Sequence, residues 1–220
     1  FPNPLSGVNA GIELCFAKRD PGGNPTNGII RYADNDNTYH NKDTKNAQNA
    51  YYWPTDQYFN VYIVKVISND ESWPSSVAAG YSTLPSSHGT STDGAVFTAD
   101  IFWDGLVAHE AGHYFGLYHN FDITESCENS NCEVNGDRIC DTPPKYIAGR
   151  GDDGCRDGNT CFTDEDDTDP RNPFRSVALG GYGDQTDGEE NYMDYTGGCW
   201  KAYTVEQAQK MRIILATVRD

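Results

Sequence analysis

One short motif, His-Glu-x-x-His-x-x-Gly-x-x-His, constrains this chain more than any other stretch, and it begins at His109. Side chains four residues apart lie on one face of a helix, so His109 and His113 are expected to point at one place. Gly116 lets the chain leave the helix, and the turn then brings His119 to the same place. Three imidazoles with one open position are the ligand set of a catalytic zinc site, and Glu110 is positioned to act on the zinc-bound water as a general base.

Two other interpretations of the motif are non-catalytic. The first is a helix with surface histidines, but three of the five histidines of the chain fall inside the motif, which chance does not explain. The second is a binding or adhesion module stabilised by a structural zinc. Structural zinc sites usually fill all four positions with Cys and His, whereas this motif supplies three histidines and keeps Glu110. A catalytic zinc is therefore the favoured prediction, and the zinc-stabilised module is the alternative from a different class.

The charge of the chain limits its partners. With 33 acidic and 16 basic residues, the net charge is −17. Such a field repels nucleic acid and anionic membranes and attracts cations and basic peptides, so we expect neither nucleic acid nor a membrane as a partner. No apolar run approaches the length of a membrane span. Solubility together with calcium sites is the simpler explanation of the acidity, and the oligomeric state is left open.

Seven cysteines indicate disulfide bonds and hence an oxidising, extracellular compartment. Cys15 stands alone in an apolar segment, and we expect it to be a buried free thiol. The other six all follow the zinc motif, and their sequence positions allow many pairings. The chain starts at Phe1 without an initiator Met or a signal peptide, so we expect a processed or trimmed secreted fragment. The six clustered cysteines are Cys127, Cys132, Cys140, Cys155, Cys161 and Cys199.

Before the motif, the sequence predicts strands separated by loops. Residues 11–18 alternate apolar and other side chains, which predicts a first strand. The second half of residues 38–52 is interpreted as a helix that covers a sheet. Residues 58–67 are β-branched, aromatic and nearly continuously apolar, which is typical of a central strand. Residues 94–98 predict a short strand just before the motif.

Helices are predicted at the motif and at the end of the chain. Asp104 is expected to cap a helix over residues 105–115. Residues 120–190 are rich in Asp, Gly, Asn and Cys and lack periodicity, which indicates irregular structure braced by disulfides or metal. Thr204 and Gln207 have the spacing of a capping box, and apolar residues recur at helical spacing after them, which predicts a C-terminal helix.

The zinc motif resembles that of the metzincin metallopeptidases, and residues 191–195, Asn-Tyr-Met-Asp-Tyr, resemble the Met-turn of that clan. Residues 136–144 contain Cys-Asp-Thr-Pro and are similar to a segment of the pappalysins, as are residues 20–31. The resemblance, to pappalysins of the cytophagalysin or ulilysin type, runs from about residue 11 to residue 215.

This resemblance implies an α+β fold of the metzincin type. It has a twisted mixed sheet with a covering helix, an active-site helix above the cleft, and an irregular, disulfide-braced lower half that ends in a C-terminal helix. Residues 1–116 would form the upper subdomain and residues 117–220 the lower one, within a single catalytic domain.

The resemblance also implies roles for single residues. The three histidines of the motif hold zinc, and Glu110 takes the proton of the water and later delivers it to the leaving amine. Met193 lies beneath the zinc ligands, and Tyr195 lies near the metal, where its phenol can bind the zinc of the free enzyme or donate a hydrogen bond to the oxyanion. Residues 94–98 lie at the cleft edge and pair with an extended substrate. The implied function is a secreted zinc-dependent endopeptidase of protein substrates, made as a zymogen with an N-terminal propeptide outside this chain; a clan relative of narrower specificity is a further alternative.

The resemblance implies structural calcium in the lower half, where acidic side chains are abundant and offer the oxygen ligands that calcium prefers. The acids in that region include Asp137, Asp141, Asp152, Asp153, Asp164, Asp166, Asp167 and Asp169.

The resemblance to pappalysins gives less direct expectations for the disulfide pairing and the cleavage preference of this chain. By order along the chain, the resemblance implies the bridges Cys140–Cys161 and Cys155–Cys199, with Cys127–Cys132 as an additional local loop. Some family members cleave before Arg or Lys, which requires an acid in the specificity pocket. Residues 196–200, Thr-Gly-Gly-Cys-Trp, offer no carboxylate there, so the cleavage preference stays open.

Overall fold

The computed structural model describes residues 7–32, 39–40, 48–68, 77–121, 127, 129–146, 158–162, 168–196 and 199–219. The chain forms two compact units: one contains residues 12–116 and 213–220, and the other contains residues 1–11 and 117–212. We call them the regular unit and the irregular unit, after the content of their described parts. No helix in the described ranges is long and apolar enough to cross a membrane.

The strands and helices follow one another in this order along the chain. The strands are β1 (Tyr39–His40), β2 (Val61–Val64), β3 (Ile67–Ser68), β4 (Val77–Ala78), β5 (Gly80–Ser82) and β6 (Ala95–Thr98). The α-helices with described bounds are α1 (Asp104–Tyr114) and α2 (Val205–Thr217), and residues 48–51 are also helical. Short 3-10 helices lie at Pro85–Ser87, Ala99–Ile101 and Val177–Leu179.

The main sheet of the regular unit is mixed, as predicted, and β6 is its middle strand. β2 pairs with β6 in parallel, and β5 pairs with it on the other side in the antiparallel direction. All four residues of β6 are buried, whereas Val61 and Ile63 of β2 are 44% and 57% exposed. Within the described sheet two predictions are therefore wrong: the run at 58–67 does not supply the middle strand, and the strand at 94–98 is paired on both sides, so it is not an open edge. The continuous apolar run at 58–67 suggested burial on both faces of the strand, but the face that carries Val61 and Ile63 is exposed.

The helical residues 48–51 contact the sheet through Gln48. This side chain is buried, and its amide nitrogen donates to the carbonyl of Thr92 at 2.9 Å. The hydroxyls of Tyr62 in β2 and Tyr81 in β5 donate to Gln48 at 3.4 Å and 3.1 Å. The prediction of a helix covering the sheet is confirmed for these residues; residues 41–47 lie outside the described chain.

Residues 11–18 form no strand, so this prediction is wrong. Their side chains alternate as in a strand, but Leu14 and Phe16 are 46% and 66% exposed. Alternation predicts a strand only where a neighbouring strand pairs with the backbone, and the described structure places none beside this segment. Cys15 is a free thiol as predicted, but it is exposed rather than buried, for the same reason.

Helix α1 carries the zinc motif. Its N-cap residue is Trp103, so Asp104 lies in the first turn, one position later than predicted. The negative charge of Asp104 still interacts favourably with the N-terminal end of the helix dipole. Leu106 and Ala111 are buried. At the other end Gly116 adopts a φ of +90°, and a β-carbon there would lie 3.1 Å from Ile214. The left-handed backbone and the close approach together require glycine.

Helix α2 begins with the predicted capping box. The Gln207 amide donates to the Thr204 hydroxyl at 3.2 Å, and the Thr204 amide donates to the Gln207 side chain at 2.9 Å. The carboxylate of Asp141 accepts from the Glu206 amide at 2.9 Å, so a second acceptor satisfies the free N–H groups of the first turn. Ala208 and Met211 are buried, as their spacing predicts.

The disulfides of the irregular unit differ from two of the implied pairs. The structure joins Cys127 to Cys161 and Cys132 to Cys140, with Cα separations of 5.5 Å and 4.9 Å. The implied bridges Cys127–Cys132 and Cys140–Cys161 are therefore wrong. Order along the chain does not determine which cysteines meet, because irregular loops return at positions that no sequence period marks. Cys199 is disulfide-bonded, but the implied bridge to Cys155 lies outside the described residues.

Candidate metal centre

The three histidines of the motif lie together. Each offers one ring nitrogen, and these nitrogens all lie within 4.8 Å of one another. The rings of His109 and His113 are 4.9 Å apart and nearly perpendicular, as side chains of one helix face can be. His109 is buried, while His113 and His119 are half-buried. In the described part of the chain, no other group of three or more His, Cys, Asp or Glu side chains has a geometry that could hold a metal ion.

Glu110 follows His109 directly on helix α1 and is buried. It is only 3% exposed, and burial raises its pKa to about 8. Its Oε2 atom is buried and has no hydrogen-bond partner in the described structure. A buried carboxylate oxygen without a partner is costly unless a further group completes it, such as a water or a substrate.

The donor set fits a catalytic zinc ion. Three imidazole nitrogens leave one coordination position open, which is the arrangement of catalytic rather than structural zinc sites. The unpartnered oxygen of Glu110 fits the same arrangement, since it can accept a hydrogen bond from a molecule at the open position.

Strand β5 crosses closely over Glu110 at Gly80. A β-carbon built on Gly80 would lie 3.2 Å from Oε1 of Glu110 and 3.0 Å from the carbonyl oxygen of Val96. Only glycine leaves the carboxylate this space. Sequence reasoning missed Gly80, because it occurs in a segment rich in glycine and serine where no local pattern distinguishes it.

The C-terminal end of α1 is held by Arg219, which sequence reasoning also missed. Its guanidinium lies 3.5 Å from the ring centre of Tyr114, the last residue of the helix, and donates to the Tyr114 carbonyl at 3.2 Å. It also forms a buried ion pair with Asp93. A cation at a helix C-terminus stabilises the carbonyls that have no partner within the helix.

In the irregular unit, Met193 sits in a tight turn held by Asn191. The Met193 side chain is fully buried. The side-chain oxygen of Asn191 accepts from the Met193 amide at 2.8 Å, and the Asn191 carbonyl accepts from the Asp194 amide at 3.1 Å. The amide of Asn120, which follows His119 in the chain, donates to the Met193 carbonyl at 3.2 Å. The turn is thus tied directly to the residue after the third histidine.

Tyr195 packs against His119. The two ring centres are 4.4 Å apart, and Phe121 lies 4.8 Å from each of them, stacked parallel to the histidine ring. The tyrosine is 41% exposed. Phe121 was not singled out from the sequence; its position two residues after the third histidine was the available signal.

The acids proposed for calcium do not form a described site. Asp137 is buried and accepts from the Thr142 hydroxyl and the Ile139 amide, while Asp141 caps α2. Burial raises the pKa of Asp137 to about 7. Asp169 pairs with Arg171 on the surface. The five other acids lie outside the described residues: Asp152, Asp153, Asp164, Asp166 and Asp167.

Comparisons with known proteins bear on the fold and the family. The chain matches the model of the peptidase M43 family, described as pregnancy-associated plasma protein-A, over residues 39–216. A mature mirolysin of Tannerella forsythia in complex with a cleaved peptide superposes with a TM-score of 0.61 at 26% identity, covering 94% of this chain and 71% of that one. Mirolysin in complex with a compound gives a TM-score of 0.61 at 24% identity, covering 96% and 73%. These likenesses confirm the predicted metzincin-type fold.

Curated relatives carry the same kind of name. An extracellular metalloprotease of Pyricularia oryzae is 28% identical over 153 residues, which are 64% of this chain and 44% of that protein. An extracellular metalloprotease of Arthroderma gypseum is 31% identical over 107 residues, which are 48% and 28%. The chain thus spans less than half the length of these relatives.

Proposed function

This chain belongs to the peptidase M43 family, the pappalysins, and from that premise we propose that it is a secreted zinc endopeptidase that hydrolyses peptide bonds of protein substrates. The observation that carries the proposal is the convergence of three imidazole nitrogens beside a buried glutamate with an unpartnered oxygen. The names of the curated relatives, extracellular metalloproteases, support both the reaction and the secretion.

The residues of the motif divide the work between holding the ion and moving a proton. His109, His113 and His119 would hold zinc, which when bound supplies a Lewis acid that activates water and polarises a carbonyl. Glu110 accepts the proton that the attacking water loses and then donates it to the leaving amine nitrogen. The position of Glu110 next to His109 on the helix, with a buried oxygen that has no hydrogen-bond partner in the described structure, supports this role.

Two residues of the irregular unit complete the proposed site. The phenol O–H of Tyr195 donates a hydrogen bond to the oxygen of the scissile carbonyl as negative charge develops there. Its contact with the His119 ring and its exposure support this assignment. Met193 provides an apolar, fully buried floor, and the bond from Asn120 ties that floor to the segment of the third histidine.

Strand β5 is the proposed partner of the substrate backbone. One of its edges pairs with β6, and in the described sheet the other edge has no strand beside it. An extended peptide can add there as a further strand. Gly80 supports this placement, because it puts the β5 backbone directly over Glu110.

Calcium and a propeptide belong to the proposal as well. Structural calcium would be held by acids of the irregular unit, where they are abundant. A rise in melting temperature on adding calcium to chelator-treated protein is expected, and an unchanged melting temperature would reject it. A propeptide would lie in the longer precursor.

Replacement of Glu110 tests the mechanism most directly. The Glu110→Gln variant keeps the shape of the side chain but cannot take up a proton, so peptide hydrolysis should fall by at least about 10³-fold while zinc content stays at the wild-type level. Glu190→Gln, at an exposed glutamate, is the matched control and should keep full activity. Hydrolysis retained by the Glu110 variant would refute the mechanism. Wild-type protein that binds zinc but cleaves no protein substrate would favour the zinc-stabilised binding module.

A further inference from the structure

A buried lysine holds the residue between Met193 and Tyr195. The Nζ atom of Lys145 donates to Oδ2 of Asp194 at 2.6 Å, and the two side chains are only 6% and 4% exposed. Lys145 lies 49 positions upstream, so this contact exists only in the folded chain.

Every polar atom of Asp194 has a partner. Its Oδ1 accepts from the amides of Tyr195 and Thr196, at 2.7 Å and 3.1 Å. Its carbonyl accepts from the indole nitrogen of Trp200 at 2.9 Å, and its amide donates to the Asn191 carbonyl. The carboxylate therefore links the lysine on one side to the backbone of the two following residues on the other.

Such an ion pair is a poor way to gain stability but an effective way to define geometry. Removing two charges from water costs about as much free energy as their attraction returns, and apolar replacements are often equally stable. The pair of Lys201 and Glu190 offers a contrast in the same unit. It is 63% and 60% exposed, and an exposed pair of long side chains fixes little.

Tyr195 needs such a fixed backbone. Its ring contacts the His119 and Phe121 rings but is 41% exposed, so burial alone does not fix the position of its hydroxyl. With its amide bonded to Asp194, and with the Thr196 hydroxyl bonded to the Glu189 carbonyl at 2.6 Å, the phenol can only rotate about its own side-chain bonds.

We infer that Lys145 is a positioning residue for Tyr195: it holds the Asp194 carboxylate, which in turn fixes the backbone from which the phenol reaches the reacting carbonyl. The inference rests on the proposed function, because it presumes the role given there to Tyr195. Lys145 acts without contacting substrate or metal. Its effect passes through two hydrogen bonds of Asp194, one from Lys145 itself and one from the Tyr195 amide.

A double-mutant cycle tests the inference. The Lys145→Met variant should lower kcat for a peptide substrate about 10- to 100-fold and change KM less than about threefold, since an interaction used in the transition state is misplaced. In a Tyr195→Phe background, which already lacks the phenol O–H, the same change should lower kcat further by less than about threefold. Lys201→Met is the matched control and should leave kcat unchanged. A lysine with a purely structural role would instead lower the melting temperature and give the same kcat factor in both backgrounds, which would overturn the inference.

A second variant covers the case in which Lys145→Met does not fold, since it leaves the buried Asp194 and the nearby Asp187 without their cation. Trp200→Phe removes only the indole donor to the Asp194 carbonyl and creates no unpaired charge. It should lower kcat about two- to tenfold, again only when Tyr195 is present. Equal factors in both backgrounds would count against the inference. If the wild-type enzyme hydrolyses no peptide, the proposed function itself fails, and this outcome is separate from a cycle that shows no coupling.

Discussion

The two units hold their functional side chains by different means. In the regular unit, β6 and α1 are fixed by repeating backbone hydrogen bonds, and His109, Glu110 and His113 follow from the period of one helix. In the irregular unit, Met193 and Tyr195 lie on turns fixed by single side chains, such as those of Asn191 and Asp194. Regular structure distributes its support over many equivalent bonds, whereas each turn of the irregular unit depends on a few specific ones.

The largest effect is expected from removing a zinc ligand, and it compares His113, which lies on a helix, with His119, which follows a turn. His113→Ala and His119→Ala should each lower peptide hydrolysis by at least about 10³-fold and remove most of the bound zinc, since two remaining imidazoles hold the ion weakly. Zinc content by elemental analysis and kcat/KM provide the measurement. His88→Ala is the control, because among the described residues this histidine is not in the three-histidine group. Full zinc content in the His119 variant would show that the turn supplies no ligand.

An intermediate effect concerns pH and the buried acid of the irregular unit. Burial raises the pKa of Asp137 from its ordinary 3.8 to about 7, so between these values the folded state holds a proton that the unfolded state has lost. The contribution of Asp137 to the free energy of unfolding should therefore fall as pH rises from about 4 to about 7, by an amount on the order of a few kcal/mol. Asp137→Asn should flatten this slope in urea titrations.

Asp169→Asn is the matched control for that slope. The pKa of Asp169 is lowered to about 2 by its hydrogen bonds to Arg171, so its contribution has the opposite sign and is lost only as pH falls below about 4. The slope between about pH 4 and pH 7 should stay as in the wild type. An Asp137 variant with an unchanged slope would show that this carboxylate is ionised in the folded protein.

The smallest expected effect lies in the regular unit, at Gly80. A methyl group there meets the Val96 carbonyl and Oε1 of Glu110, so Gly80→Ala should lower kcat about 10- to 100-fold through displacement of the carboxylate. Zinc content should not change. Gly22→Ala is the control, because its β-carbon meets only the ends of the Asn24 and Asp20 side chains. An unchanged kcat for the Gly80 variant would mean that strand β5 can shift to make room for the methyl group without displacing Glu110.

The parts of the fold that sequence predicted well depend on neighbours along the chain. The capping box of Thr204 and Gln207 and the helix that carries the motif were both correct. Each depends on contacts within a few residues or on a strong apolar period. The strand expected at residues 11–18 failed for the complementary reason: a strand needs a partner, and alternation does not supply one.

The parts of the site that sequence missed come from distant positions. Gly80, Arg219 and Lys145 reach Glu110, Tyr114 and Asp194 across separations that no motif spans. Disulfide pairing failed for the same reason, since six cysteines in loops without a period can meet in many ways.

The sequence by itself determined the chemistry of this protein: two histidines and a glutamate at helical spacing, a third histidine shortly after Gly116, and the segment at residues 191–195 identify the family because each of these signals is local in the sequence. The tertiary structure alone decided which strand lies over Glu110, which cysteines are joined and which lysine holds Asp194. These contacts arise when burial brings distant segments together, and a buried polar group then takes whichever partner the packing places within reach.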